Sequence, residues 1–595
     1  MCRITGIFNP SSQNLSKEII NMRDAMKHGG PDDEGIYLDE DFKLALGHRR
    51  LALIDLSPGG HQPMADLNNQ LQIVFNGEIY NYQALRSILK NFGYHFSTAS
   101  DTEVILKAYQ HWGVECFKYF DGMFALALWD KQHNQLILAR DHAGIKPLYY
   151  YLSHTCLYFA SEIRGFDRAA HDFEENELWK TYFLSFGSLP EPITTLKHVI
   201  PVKKGTAVII DIPSLEKKEV CFYKLTYSEE IKFRRDALLL VRTKLEEAVE
   251  RHLISDAPIG LFLSGGIDSS LLTLIARKFH GDHLHTLSIT FDEQEFSEEK
   301  FQKIIIQKTK AHHQSFRITK SLFFESLPDV MKAMDQPTVD GINSYFISRC
   351  AHEYGLKAVL SGLGADELFG GYPSFQLSKN YSLLRMVPGV ILNNFKYTGD
   401  YRLKKLGYAA MKNNIGEYLI YRGLFVPQSI ARVLDSSEKE VINSLNALED
   451  YYTEQSLKNG NRVSSLETSL YMQNQLLKDT DFMSMWHALE IRVPFLDRFL
   501  MNTAAQIDSS IKYQSPKYLL IEAFKDELPE AIWNRKKQGF TFPFANWFKD
   551  VAFIKPSDKT EERLFKDFSA NKLSWSRYWS VILMNRFGKT GFSLQ

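Results

Sequence analysis

The chain up to about residue 165 consists of short apolar segments that end at polar turns. Two of them, 124–129 and 136–138, flank the turn-forming residues 130–134 and predict a β-hairpin. Helical stretches at 81–92 and 101–112 interrupt the strands. The pattern predicts an antiparallel sheet protein with some helices. The predicted strands are 3–8, 44–54, 71–80, 123–130, 135–140 and 157–161.

The pattern loosens between residues 166 and 230. Four prolines, Pro190, Pro192, Pro201 and Pro213, and the polar segment 214–218 fall there. Stretches of this composition are typical of domain edges. We therefore predict a first domain over residues 1–215 and a second over residues 225–595.

The second part begins with apolar positions that recur every three or four residues. Leu238, Val241, Leu245 and Val249 predict an amphipathic helix. A buried strand at 259–263, a polar loop at 264–269 and a helix at 271–279 follow, and residues 358–362 repeat the strand-to-loop pattern. Two such loops are expected to face each other across one parallel sheet. Beyond about residue 395 the period is mostly helical, so we predict an α/β fold class.

The composition narrows the class of protein further. With 595 residues the chain is expected to form two or more cores, and its 44% hydrophobic and 24% charged residues are those of a globular protein. The 70 Lys and Arg residues nearly balance the 71 Asp and Glu residues. This balance predicts neither nucleic acid nor an anionic membrane as the main partner.

The five cysteines, at positions 2, 116, 156, 221 and 350, are too scattered for a disulfide framework or a metal site. We expect a reducing compartment. The first residues lack the basic segment and apolar core of a signal peptide, so we expect a cytoplasmic protein.

Cys2 is the first candidate nucleophile. Removal of the initiator methionine would leave Cys2 with a thiol and a free α-amine, and that amine can accept the thiol proton. One residue would then supply both nucleophile and base. Taken on its own, a cysteine at this position is as often an ordinary surface or core residue as a nucleophile.

Five segments together resemble the glutaminase domain of class II amidotransferases, an antiparallel α-β-β-α fold with an N-terminal nucleophile. The segments are 1–7, 28–32, 47–51, 75–81 and 100–103. The resemblance implies that Arg50 binds the α-carboxylate of glutamine, that Glu78 and Asp101 complete its binding site, and that Asn76 and Gly77 form the oxyanion hole. Without it, Asn76-Gly77 would predict a hairpin turn. The family commonly has Arg where this chain has Gly29, so the local support of the site is expected to differ.

The loop 264–269 is the candidate phosphate site. Its glycines allow backbone N–H groups to approach an anion, its serines add donors, and Asp268 can hold Mg²⁺. A Ser/Gly loop alone is more often a plain turn. The full pattern resembles N-type ATP pyrophosphatases, which cleave ATP between the α and β phosphates, and it lacks the Gly-Lys-Ser/Thr element of a Walker loop.

Residues 361–372, 481–485, 489–497, 516–520 and 535–540 resemble the synthetase domain of the asparagine synthetase family. The resemblance implies that Lys517 neutralises phosphate charge and that Asp366 is a second Mg²⁺ ligand beside Asp268. The residues implied to bind ATP are Leu263, Ser264, Gly265, Gly266, Asp268, Ser269, Ile289, Ser361 and Gly362.

The two sites imply one reaction in two halves. Cys2 releases ammonia from glutamine, and ATP with Mg²⁺ adenylates an acceptor carboxylate and releases pyrophosphate. Ammonia from an internal channel then attacks the acyl-adenylate and gives the amide and AMP. A homodimer is compatible with the resemblance.

The acceptor stays open because Leu363 stands where asparagine synthetases usually have Glu. Aspartate is the leading candidate. Another carboxylate, such as a uronic acid in surface-polysaccharide synthesis, comes close behind, since leucine cannot bind the ammonium of aspartate. A non-catalytic glutamine or nucleotide sensor is a third hypothesis, against which the retention of both nucleophile and metal carboxylates argues.

Overall fold

A computed structural model gives the fold and describes residues 2–378, 381–452, 457, 459–536, 539, 541–549, 556, 558–588 and 591–592. The strands form two six-stranded antiparallel sheets and one five-stranded parallel sheet. In chain order the strands are β1 (Arg3–Phe8), β2 (Asp33–Asp39), β3 (Leu44–Arg50), β4 (Met64–Ala65), β5 (Leu71–Ile79), β6 (Gly122–Asp130), β7 (Gln135–Arg140), β8 (Tyr149–Leu152), β9 (Leu157–Ala160), β10 (Ile200–Pro201), β11 (Thr206–Asp211), β12 (Lys217–Cys221), β13 (Ile259–Phe262), β14 (His285–Thr290), β15 (His312–Arg317), β16 (Ala358–Leu360) and β17 (Glu490–Arg492).

Helices pack on the antiparallel sheets and on the parallel sheet, and they make up most of the C-terminal part. In chain order they are α1 (Leu15–Asp24), α2 (Tyr82–Asn91), α3 (Asp101–Trp112), α4 (Ile163–Phe166), α5 (Trp179–Phe186), α6 (Arg234–His252), α7 (Ile267–His280), α8 (Glu299–Thr309), α9 (Lys320–Ala333), α10 (Ile342–Glu353), α11 (Ala365–Phe369), α12 (Ser374–Leu377), α13 (Tyr381–Met386), α14 (Gly389–Asn394), α15 (Tyr401–Lys405), α16 (Asn414–Arg422), α17 (Pro427–Leu434), α18 (Glu438–Ala447), α19 (Asn459–Leu466), α20 (Lys478–Met485), α21 (Arg498–Gln506), α22 (Ser509–Lys512), α23 (Tyr518–Ala523), α24 (Glu530–Trp533), α25 (Phe544–Trp547), α26 (Lys559–Ser569) and α27 (Trp575–Arg586).

The N-terminal sheets form the middle of an α-β-β-α sandwich. Their orders are β10-β8-β9-β1-β3-β2 and β12-β11-β7-β6-β5-β4. Alternation along the strands decides the layers: Ile4 and Val74 face the core between the sheets, whereas Ile7 packs toward α1 and Ile73 toward α2 and α3. The predicted antiparallel fold is confirmed.

The predicted hairpin and the predicted strand 71–80 are both present in this part of the chain. The hairpin between 124–129 and 136–138 is confirmed, because β6 and β7 pair antiparallel through Ala125 opposite Arg140. The predicted strand 71–80 is confirmed as β5, so the turn that the Asn76-Gly77 pair would indicate on its own does not form. Both residues lie inside β5, opposite Ala125 and Phe124 of β6, where the backbones approach closely.

The second antiparallel sheet continues beyond the predicted end of the first domain at residue 215, since β12 pairs with β11 along its whole length. The division into 1–215 and 225–595 stays a prediction.

The third sheet is parallel, with the order β15-β14-β13-β16-β17. β13 and β16 are neighbours in it, so the loops after Phe262 and Leu360 leave the same edge side by side, as predicted. None of the helices in the described part of the chain combines the length and the hydropathy needed to cross a membrane.

Candidate active sites

Cys2 lies at the start of β1, where both N-terminal sheets meet. Its side chain is buried, and its backbone nitrogen donates a hydrogen bond of 3.2 Å to Asn76 Oδ1 on β5. Arg3 pairs with Arg49 of β3, so Cys2 lies beside Arg50. Burial raises the pKa of the Cys2 thiol above its ordinary value of 9.0, and the thiol therefore needs a base to become a nucleophile at neutral pH.

Asn76 also carries a buried hydrogen-bond donor. Because its Oδ1 is taken by the Cys2 nitrogen, its amide Nδ2 points elsewhere, and this buried atom has no partner within the described residues. A buried amide without a partner costs free energy unless a ligand satisfies it. Gly77 follows, where any Cβ would lie 2.1 Å from the Met123 carbonyl oxygen. These are the features of an oxyanion hole.

Arg50 ends β3, and its guanidinium is held by the loop that follows. Nη1 donates to the Ser57 carbonyl at 3.0 Å, and Nη2 donates to the carbonyls of Asp55 at 2.5 Å and Ile54 at 3.4 Å. A Cβ at Gly60 would lie 1.8 Å from Nη2, so this position has no room for a side chain. The remaining donors of a fixed guanidinium suit a substrate carboxylate.

Two buried carboxyl groups lie near the oxyanion hole. Asp101 begins α3 and accepts a hydrogen bond of 3.0 Å from the Ile79 nitrogen, and burial raises its pKa to about 6. Burial, followed by the charges of Glu490 and Asp101, raises the pKa of Glu78 well above its ordinary value. A bound ammonium group would supply both with a counter-charge.

Gly29 is explained by Arg3. A Cβ at Gly29 would lie 2.8 Å from Arg3 Cγ, so Arg3 occupies the space beside it. The buried Arg3 pairs with Glu162 at 2.5 Å and with Asp481 of α20 at 2.9 Å. The arginine next to Cys2 thus ties the nucleophile's strand to the C-terminal part of the chain.

Arg492 contacts both sites, and the sequence reasoning missed it. From β17 its Nε pairs with Glu490 at 2.5 Å, and its Nη2 lies 3.9 Å from Glu78 Oε1. Its backbone oxygen accepts a hydrogen bond of 2.8 Å from the Ser361 nitrogen in the second loop. The signal that could have found it is two charges, Glu490 and Arg492, on one face of a buried strand.

Arg492→Lys is expected to raise the KM for glutamine about tenfold, because lysine cannot hold Glu78 and Glu490 at once and the orphaned Glu78 misplaces the glutamine ammonium. Ammonia-dependent synthesis should change less than twofold. Steady-state glutamate release measures the effect. Arg498→Lys is the matched control, since Arg498 pairs with Asp121. Equal KM values in wild type and Arg492→Lys would contradict the role.

The loop 264–269 joins β13 to α7. Ser264 N donates to Ser269 Oγ at 3.2 Å, the two hydroxyls lie 3.0 Å apart, and Gly266 N donates to Ser264 Oγ at 3.3 Å. Gly265 takes φ +83°, which an L side chain rarely adopts. The loop therefore sits at the N-terminus of α7, where backbone N–H groups favour phosphate.

Lys517 joins the two loops of the parallel sheet. Its Nζ lies 2.5 Å from Asp268 Oδ2 and 2.7 Å from Asp366 Oδ1. Burial alone lowers the pKa of Lys517, but the two carboxylates outweigh it and raise the pKa above its ordinary value. Gly371 is required beside them, because a Cβ there would lie 1.7 Å from Asp366 Oδ1. Three distant segments thus form one charged centre.

The donor set of this centre fits Mg²⁺. Asp268 and Asp366 offer hard carboxylate oxygens that face the same cavity, and Mg²⁺ in nucleotide sites typically takes one or two carboxylates plus phosphate oxygens. No group of three or more His, Cys, Asp or Glu residues in the described ranges could hold a metal ion by itself.

A cavity of about 1090 Å³ opens above the parallel sheet. Seven of the residues predicted to bind ATP line it: Leu263, Ser264, Asp268, Ser269, Ile289, Ser361 and Gly362. Gly265 and Gly266 form the turn between them, and the Gly265 carbonyl accepts a hydrogen bond of 3.1 Å from Arg535. In the predicted segment 535–540, Lys537, Gln538 and Phe540 lie outside the described residues.

The cavity also carries carboxyl groups that the sequence reasoning did not single out. Leu363 lines it together with Asp340, Glu367 and Asp479. Burial raises the pKa of Glu367 to about 7, and Tyr372 donates to it at 2.7 Å. Burial and then Asp340 raise the pKa of Asp479 well above its usual range. The neighbourhood of Leu363 is therefore acidic.

Comparisons with known proteins give the family of both parts of the chain. The family model described as glutamine amidotransferase domain matches residues 1–220, and the model described as asparagine synthase matches residues 240–562. Asparagine synthetase 1 (glutamine-hydrolyzing) of Bacillus subtilis is 33% identical over 620 residues, which cover 98% of this chain and 96% of that protein. Amidase chry2 of Gibberella zeae is 27% identical over 629 residues, which cover 95% of this chain and 92% of that protein.

Among solved structures, glutamine phosphoribosylpyrophosphate amidotransferase of B. subtilis aligns with 53% of this chain and 65% of its own, at 16% identity and a TM-score of 0.29. NMN synthetase of Francisella tularensis aligns with 41% of this chain and 96% of its own, at 12% identity and a TM-score of 0.19. The family models and the full-length relative show that the chain belongs to the asparagine synthase family, as a glutamine-dependent amidotransferase with a glutamine amidotransferase domain followed by an asparagine synthase domain.

Proposed function

We propose that the protein converts aspartate to asparagine, with glutamine as nitrogen donor and ATP cleaved to AMP and pyrophosphate. The observation that carries the proposal is the pair of constellations in one chain: Cys2 beside the unpartnered Asn76 Nδ2, and Lys517 between Asp268 and Asp366. A sensor would need neither a nucleophile nor a lysine-bridged carboxylate pair.

In the first half-reaction the α-amine of mature Cys2 takes the thiol proton, and the sulfur attacks the side-chain carbonyl of glutamine. Asn76 Nδ2 and the Gly77 nitrogen donate to the oxyanion, while Arg50 holds the α-carboxylate and Glu78 and Asp101 hold the ammonium. The C–N bond breaks and ammonia leaves with the proton. Water then cleaves the thioester to glutamate and restores the thiol.

In the second half-reaction an acceptor carboxylate oxygen attacks the α-phosphorus of ATP, and the bond to the bridging oxygen of pyrophosphate breaks. Asp268 and Asp366 would hold Mg²⁺, which supplies Lewis-acid stabilisation of the phosphates when bound. Lys517 places its positive charge against the same phosphates. Ammonia then attacks the acyl carbon and AMP leaves.

Ammonia must pass from Cys2 to the parallel sheet, and we propose a path along the contact between them. Leu51, Tyr80 and Met123 from the N-terminal part pack in the same apolar cluster as Ile491 of β17 and Val493, which follows it. An apolar path disfavours ammonium and keeps the ammonia neutral.

Five free cysteines support a reducing, cytoplasmic site of action.

Aspartate is proposed as the acceptor because the cavity compensates for Leu363. Glu367, Asp340 and Asp479 line the same cavity and could pair with an α-ammonium that Leu363 cannot bind. The loss of a carboxylate at Leu363 favours the second candidate, a different carboxylate such as a uronic acid. The two acceptors can be separated by kinetics.

With aspartate, glutamine and ATP, the protein is expected to release AMP and pyrophosphate with a kcat/KM for aspartate of about 10⁴ M⁻¹s⁻¹ or above. Glu367→Gln should raise the KM for aspartate about tenfold or more, because a buried charge partner is lost. Chromatography of the nucleotides and amino-acid analysis measure both.

Glu353→Gln is the control, since Glu353 pairs with Arg349 on the exposed side of α10. ADP as the stoichiometric product would overturn the nucleotide chemistry. AMP formation that depends on another carboxylate and not on aspartate would replace aspartate by the second candidate.

A further inference from the structure

Exposed apolar side chains are concentrated in one short segment. Of the 17 large hydrophobic residues exposed in the described part of the chain, seven lie between residues 377 and 403. They are Leu377, Leu383, Met386, Val390, Ile391, Tyr397 and Leu403. Single exposed apolar residues are ordinary, but a contiguous group marks an interaction surface.

The helices of this segment are apolar on both sides. Toward the protein, Leu384, Val387 and Phe395 pack against the buried Leu392 in a small cluster of their own. Toward solvent, Met386 of α13 is 81% exposed and Val390 of α14 is 77% exposed. A surface helix in water normally turns polar residues outward. The outward face of α13 and α14 is therefore apolar and exposed to solvent.

The same segment is strongly basic. Residues 377–412 contain seven Lys or Arg and one Asp, although the whole chain has a net charge of −1. Arg385, Arg402 and Lys412 are exposed and form no ion pair with the residues that the structure describes, whereas Lys396 pairs with Glu438. The near balance of charge over the whole chain, which predicted no membrane partner, conceals this local excess.

We propose that residues 377–378 and 381–412 dock on the surface of an anionic lipid bilayer. Exposed leucine, methionine, valine and isoleucine side chains beside lysines and arginines are the combination that lies in a bilayer interface, with the apolar groups among the acyl chains and the cations at the headgroups. A second copy fits less well, because a two-fold contact would set this basic face against itself.

Docking there would place the bilayer beside the synthetase cavity. Gln376 of α12 lines the cavity and is exposed, and Leu377, the next residue, is the first of the seven apolar residues. The lining of the cavity and the lipid-facing segment are therefore continuous along the chain. The proposal is independent of which carboxylate is the acceptor.

Sedimentation with phosphatidylcholine vesicles, with and without phosphatidylglycerol, tests the proposal on the full-length protein. The wild type is expected to bind the anionic vesicles at least about tenfold more tightly than the neutral ones, and 0.5 M salt should weaken this binding about tenfold. Met386→Ser with Val390→Ser and Ile391→Ser should reduce it about tenfold. Arg385→Glu with Arg402→Glu should do the same.

The matched control is Leu67→Ser with Phe233→Ser and Leu239→Ser, which removes equally exposed apolar groups outside the segment. Glutamine hydrolysis at the wild-type rate verifies that each variant is folded. Absence of wild-type binding to anionic vesicles overturns the proposal, as does an equal loss in the control. It is also overturned if the segment variants only dissociate a dimer seen by light scattering.

Discussion

Cys2→Ala is expected to abolish glutamate release from glutamine, by about 10³-fold or more, while synthesis from added ammonium chloride continues. The thiol of Cys2 forms the thioester in the proposed mechanism, and alanine keeps the backbone nitrogen that donates to Asn76 Oδ1. The ATP loops lie on the parallel sheet, more than 250 residues further along the chain. Parallel assays of glutamate and of AMP measure the two activities.

Cys156→Ala is the matched control, because Cys156 is buried and lies in a different apolar cluster. It should retain both activities. A tag that stays attached before Cys2 should act like Cys2→Ala, since it blocks the α-amine that serves as base. A folded Cys2→Ala protein without ammonia-dependent synthesis would show that the two sites are not separable.

The architecture could be predicted where local pattern decides it. Strand Arg3–Phe8, helix Asp101–Trp112 and the hairpin of β6 and β7 follow from alternation, helical period and turn residues, which are properties of neighbouring positions. The adjacency of the loops after β13 and β16 followed from the strand-loop-helix order.

Tertiary context decided the rest. Asn76-Gly77 has the composition of a turn, yet β6 pairs along both residues and the glycine is needed for close approach to Met123. The predicted strand 44–54 ends at Arg50, because the next residues bend to bring backbone carbonyls to its guanidinium. Propensity does not contain such long-range pairing.

The partners of charged residues that act across the domain contact could not be found from sequence pattern. Arg492 and Glu78 are separated by more than 400 positions, and only the packing of β17 against the glutaminase site brings them together. Asp479 lies in a helix whose period shows nothing of the cavity beside it. The role of a buried charged residue depends on the residues that it pairs with, and motif spacing does not reveal these partners.

Lys517→Met is expected to reduce both glutamine-dependent and ammonia-dependent synthesis by about 10²-fold to 10³-fold, while glutamine hydrolysis remains. Methionine fits the space but removes the cation between Asp268 and Asp366 and from the phosphates of the transition state. The two carboxylates would then lose the cation that pairs with both of them. Pyrophosphate release with ammonium chloride as nitrogen source measures the loss.

Lys525→Met is the matched control, because Lys525 makes an exposed ion pair with Glu522 on the neighbouring helix and should keep full activity. The carboxylates raise the pKa of Lys517 above its ordinary value, so its cation persists through the neutral and mildly alkaline range. Alkaline pH up to about 9 should therefore leave the wild-type synthetase step unaffected by this group. Synthesis by Lys517→Met at a rate within about threefold of wild type would show that the charge of Lys517 does not act on the transition state.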